Sequence, residues 1–148
     1  IIQPLNQKER VVDERITYLI EDVLRGFLSN GVAGRKSEFL KRDDIGGKTG
    51  TTNDSISTWF SGFHKDLVTT VWVGTDDFTS LGNKEFGSTI ALPIWLNYMD
   101  FKLNSLEQVK RRIPENITFA RVNKSTGEID TKSQDNSYFE LFLNENVD

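Results

Sequence analysis

The hydrophobic pattern changes period at Ile45, and that change limits the fold more than any other feature of the chain. Upstream of it, Ile16, Leu19, Ile20, Val23, Leu24, Phe27 and Leu28 recur at three- and four-residue steps, which predicts an amphipathic helix from Asp13 to about Ser29. Asp13 is placed to cap its start, Glu14 suits the positive end of the dipole, and Gly31 follows where a left-handed C-cap is wanted. Residues 31–44 then make a polar connection. Residues 45–52, 58–63 and 67–74 read instead as strands, the last rich in β-branched and aromatic side chains. Asn53-Asp54-Ser55 and His64-Lys65-Asp66 are the turns between them, and connections this short make successive strands antiparallel neighbours in a meander. Ile90, Ile94, Trp95, Tyr98, Met99 and Leu103 fall near helical spacing, with Pro93 tolerable only near the helix start, so a second helix is expected against the sheet. The expected class is α+β.

The chain has 148 residues, the size of one domain. Its apolar runs fall far short of the roughly 20 residues of a membrane span. With 18 basic against 22 acidic side chains and a pI near 5.1, it lacks the basic footprint of a general nucleic-acid binder. The charge is uneven: residues 1–114 are balanced, and the net −4 lies in 115–148. Those last residues are polar with short apolar patches at 117–119 and 138–142, so the expected division is 1–114 as the folded part and 115–148 as a loosely ordered acidic tail. Zero Cys and one His remove disulfides, thiol nucleophiles and Cys- or multi-His metal sites, so no metal is expected. The chain opens Ile1-Ile2-Gln3-Pro4, with neither an initiator Met nor a signal-peptide pattern, and reads as a piece of something longer.

The most distinctive segment is Gly46-Gly47-Lys48-Thr49-Gly50-Thr51-Thr52. A phosphate-loop reading fails on spacing, because the position five before Gly47 is Arg42 where that loop needs Gly. On an edge strand the same residues suit other chemistry. Lys48 supplies positive charge, the Thr49 and Thr51 hydroxyls can hold a carboxylate, and the Thr51 amide can face a developing oxyanion. Gly50 leaves the backbone uncovered, so an extended peptide can approach and bond to free main-chain groups. Lys-Thr-Gly by itself reads first as a glycine-rich strand bearing solvated Lys and Thr side chains.

Here the motif has company. Lys48-Thr49-Gly50-Thr51-Thr52-Asn53, then Trp59-Phe60-x-Gly62, then Val71-Trp72-Val73-Gly74-x-Asp76-Asp77, then Pro93-Ile94-Trp95 with Met99, resembles in order and separation the C-terminal half of the transpeptidase domain of class A penicillin-binding proteins. The resemblance covers about residues 8–142. Two positions depart from it: Ser57-Thr58 stands where Asp-Ala is usual, and Gly31-Val32-Ala33-Gly34 where Gly-Thr-Gly is usual.

The resemblance implies a penicillin-binding/serine β-lactamase-like fold and a parent enzyme on the periplasmic side of the bacterial inner membrane, anchored by an N-terminal segment, with a glycosyltransferase upstream. In that family a serine attacks the D-alanyl-D-alanine end of a peptidoglycan stem peptide and passes the acyl group to an amine on a neighbouring strand, and β-lactam antibiotics mimic the dipeptide. No cofactor is implied. Lys48 is the expected active-site cation, and Lys48, Thr49, Gly50, Thr51 and Thr52 the expected substrate contacts. The family's Ser-x-x-Lys and Ser-x-Asn motifs are absent, since no Ser here is followed by Lys at three positions or Asn at two. Losing a serine nucleophile costs on the order of a million-fold in turnover, so this chain alone is expected not to be catalytic, its partner being the N-terminal part of the same protein. A non-catalytic peptide- or partner-binding module is the alternative.

The remaining residues carry plainer expectations. His64 reads as a solvated turn residue, Trp59, Phe60, Trp72 and Trp95 as core, and Asp43-Asp44 and Asp76-Asp77 as solvated loop carboxylates. Lys110-Arg111-Arg112 reads as a cluster solubilising a helix end. Apolar surface left without its covering helices favours self-association.

Overall fold

The computed structural model of the protein describes residues 10–29, 33, 37–130 and 136–147. They form two compact units, one of residues 21–111 and one of the described residues up to 20 and beyond 111. Helix α1 (Glu14–Ser29) starts where the sequence places it, because the Asp13 Oδ1 accepts the Arg15 N–H at 2.8 Å and satisfies one of the helix's free donors. The Arg15 guanidinium grips the same carboxylate and holds it below its ordinary pKa. Gly31 and Gly34, the expected end of this helix and its connection, lie outside the described residues.

The unit of residues 21–111 is built on the predicted meander. Strands β1 (Gly46–Thr51), β2 (Ser57–His64) and β3 (Leu67–Gly74) pair antiparallel in sequence order, with Thr49 opposite Phe60 and Phe60 opposite Val71. Alternation along β2 sends Thr58, Phe60, Gly62 and His64 to one face, where all four are buried. Helix α2 (Ala91–Leu103) covers that face with Leu92, Trp95, Leu96, Met99 and Leu103. The Phe60 and Trp95 ring centroids lie 4.9 Å apart, and the Trp95 Nε1–H donates to the Thr69 carbonyl at 3.1 Å, so the one polar atom of this large side chain is satisfied. Burying each ring contributes on the order of 2–3 kcal/mol. Gly62 permits the contact: a Cβ there would stand 2.4 Å from Trp95 Cζ2. Pro93 sits in the first turn of α2, where its missing N–H costs no helical bond.

Several expectations are corrected. Trp59 and Trp72 are opposed across β2 and β3 on the outer face, 42% and 47% exposed, because period two forces Trp59 outward once Phe60 points inward. Ile94 and Tyr98 are exposed on α2. Ten of the thirteen residues of that helix are apolar, so spacing alone does not select the buried stripe. His64 is no solvated turn residue; it ends β2 and is buried together with Asp44. The basic cluster at 110–112 follows a non-helical stretch, and Arg111 pairs with Glu21 and Asp22 of α1 instead of finishing a helix.

The segment expected to be irregular contains a hairpin. Strands β4 (Ile117–Asn123) and β5 (Ser137–Leu143) pair with Ala120 opposite Glu140, burying Ala120 and Val122 on one side. The Asn123 carboxamide oxygen accepts the Ser125 and Thr126 amides and turns the chain as it leaves β4. Residues 131–135, including Gln134 and Asp135 of the expected tail, lie outside the described residues. No helix among the described residues is long and apolar enough to cross a membrane.

Candidate active-site strand

β1 is an edge strand: β2 occupies one side, and no strand among the described residues pairs with the other. The Thr52 N–H donates to the Ser57 carbonyl at 3.1 Å, extending the ladder by one pair beyond Thr51 and Thr58. Opposed residues in an antiparallel pair alternate between bonded and non-bonded, so Lys48 and Gly50 bond to β2 while Thr49 and Thr51 turn their N–H and C=O groups to the open edge. The strand therefore presents a peptide-like row of donors and acceptors. Lys48 Nζ already uses one of them, donating to the Thr49 carbonyl at 3.0 Å.

The side chains divide by the same alternation. Lys48 and Gly50 lie on the outer face with Trp59 and Ser61, and the Lys48 ammonium is exposed, 5.6 Å from the centroid of the Phe27 ring. Thr49 and Thr51 lie on the inner side, where the Thr51 Oγ1 accepts the Gly87 N–H at 3.1 Å. Thr52 stands apart from the other four. Its hydroxyl accepts the Ser57 N–H at 2.8 Å and donates back to the Ser57 carbonyl at 3.2 Å, closing the turn at Asn53–Ser55.

Behind the start of β1 lies a buried ionic cluster that sequence reasoning missed. The Asp44 carboxylate accepts the Arg42 Nε and Nη2 at 2.9 and 2.7 Å and the Val109 N–H at 2.8 Å, and His64 Nε2 stands 3.3 Å away. Burial pushes the Asp44 carboxyl up, but the Arg42 guanidinium, the Val109 amide and the facing His64 outweigh it and hold the group below its ordinary value. Arg42 donates its remaining hydrogens to the Leu103, Leu106 and Glu107 carbonyls. One side chain thus fastens the chain beyond α2 to the residues entering the Lys-Thr-Gly strand. Two basic residues followed by two acidic ones at 41–44 are the only sequence trace of it, and they read equally well as a solvated loop.

No protein-family model matches the chain. Penicillin-binding protein 1A of Pseudomonas aeruginosa is 43% identical over 139 residues, covering 94% of this chain and 17% of that protein. Its counterpart in Neisseria gonorrhoeae is 38% identical over 119 residues, covering 78% of this chain and 15% of that protein. Among solved structures, the crystal structure of penicillin-binding protein 1A from Haemophilus influenzae matches with a TM-score of 0.81 at 34% identity, over 90% of this chain and 21% of that one. The chain spans less than a fifth of the length of these sequence relatives. These matches place the chain in the class A penicillin-binding proteins, as the C-terminal half of a transpeptidase domain, and its α+β fold agrees with the solved structure.

Proposed function

We propose that the chain supplies one wall of a penicillin-sensitive D,D-transpeptidase site that cross-links peptidoglycan. The observation that carries this reading is the open edge of β1, where the Thr49 and Thr51 main-chain groups face outward beside the exposed Lys48 ammonium. A stem peptide ending in D-alanyl-D-alanine, or a β-lactam, adds to that edge as an extended strand. Lys48, Thr49 and Thr51 hold its terminal carboxylate, Gly50 leaves room for its backbone, and the Thr51 N–H donates to the oxyanion formed on acyl transfer. Thr52 closes the turn that ends the site.

The nucleophile and its base come from elsewhere in the parent protein, a bifunctional, membrane-anchored synthase working on the periplasmic side with a glycosyltransferase of its own. Residues 1–114 belong to the catalytic fold and 115–148 lie outside it. This chain alone takes up no fluorescent penicillin covalently; a stoichiometric labelled band on a denaturing gel would overturn that expectation. The apolar outer face of the meander favours self-association, so sedimentation should show dimers or larger species at high concentration, and a clean monomer would count against it.

A further inference from the structure

Residues 76–90, between β3 and α2, are stitched onto the end of the Lys-Thr-Gly strand. The Ser80 hydroxyl donates to the Asp54 carbonyl at 2.7 Å and the Leu81 N–H to the Ser55 carbonyl at 2.9 Å. Gly87 makes the closest approach. Its N–H donates to the Thr51 Oγ1 at 3.1 Å, and its carbonyl accepts the Leu92 N–H of the first turn of α2 at 2.8 Å. It is buried, and a Cβ at this position would stand 2.5 Å from the Trp59 carbonyl oxygen, 2.8 Å from the Gly50 carbonyl oxygen and 3.0 Å from Thr49 Cβ. Two of those three atoms are sheet backbone and cannot swing aside as a flexible side chain would. Gly is therefore required here for closeness.

A threonine hydroxyl has one hydrogen to donate and accepts through its lone pairs. With an acceptor position of Thr51 Oγ1 taken by the buried Gly87 N–H, the rotor loses the orientations that would aim its hydrogen at the loop. Thr51 itself is exposed, so the hydrogen is turned to the solvent side, where a carboxylate would arrive. We propose that Gly87 is a positioning residue, which transmits the fixed start of α2 to the Thr51 hydroxyl and pre-aims that hydroxyl at the terminal carboxylate of the substrate. The proposal rests on the substrate reading above.

The test uses this chain, a peptide ending in D-alanyl-D-alanine, and the same peptide with its C-terminal carboxylate amidated, titrated by NMR. The wild type should prefer the acid, and a hydrogen bond to a charged group sets the Thr51 share of that preference at roughly tenfold. Gly87→Ala should lower the preference by that factor, leaving the share that Lys48 and Thr49 supply. In the Thr51→Val background Gly87→Ala should change nothing further, whereas Thr51→Ser should restore the wild-type preference. A preference intact in Gly87→Ala, or losses that simply add in the double variant, would overturn the proposal while leaving the substrate reading standing. No acid preference in the wild type would remove the substrate reading and the proposal with it. Amide exchange at Gly87 gives a second readout should Gly87→Ala fail to fold. Thr51→Val should speed it about tenfold or more and Thr51→Ser should not; equal rates in all three would also refute the positioning role.

Discussion

Trp59 and Phe60 are adjacent aromatic residues on β2, yet Phe60 is fully buried against Trp95 while Trp59 is 42% exposed beside Trp72. The inner face of the meander has its cover within this chain, in α2 and the Phe27 end of α1. The outer face, with Trp59, Val68 and Trp72, is similarly apolar and lies open. Period two announces that a strand has two faces. Which face is covered depends on residues tens of positions away.

Substitutions on the two faces measure that difference. Phe60→Ala should cost about 3–5 kcal/mol in urea denaturation, since it removes a ring packed between Phe27 and Trp95 and leaves a cavity. Asp44→Asn should cost about 3 kcal/mol, because the Arg42 guanidinium stays buried without its carboxylate. The Asp44 variant also sharpens the pH dependence. The folded-state value is depressed, so the contribution is present above the ordinary 3.8 and is lost as pH falls through that value toward the folded one. The wild type should lose stability below about pH 4 more steeply than Asp44→Asn, and parallel acid melts would refute the assignment. Trp59→Ala on the open face should cost only about 1 kcal/mol, the worth of its ring pair with Trp72. Val68→Thr, at a position 77% exposed, should stay within about 0.5 kcal/mol in stability while weakening self-association in sedimentation. A cost at Trp59 equal to that at Phe60 would mean that the outer face is covered in solution.

The helices, the meander and the Lys-Thr-Gly strand were legible because each rests on local signals: spacing, cap and turn residues, and a motif confined to a few positions. The same short connections place β1 at one end of the meander, and among the described residues β2 is its one strand neighbour. The Asp44 cluster was not legible. Its parts come from residues 42–44, 64 and 103–109, and a carboxylate in a charged loop looks solvated until the carbonyls that surround its partner are placed. The β4–β5 hairpin was missed for a related reason: its strands are separated by a long polar connection, and neither carries a continuous apolar alternation. Gly87 carried no signal at all, since a glycine needed for closeness looks in sequence like one needed for a turn.

The contact of Gly62 with Trp95 has a consequence for how this domain can diverge. A methyl group added at 62 occupies space that the indole already fills, so the two positions constitute a single heritable unit although 33 residues separate them. Relatives that carry a side chain at 62 are expected to carry a smaller ring or an aliphatic residue at 95, and a lineage reaches that state only through an intermediate that is either crowded or hollow.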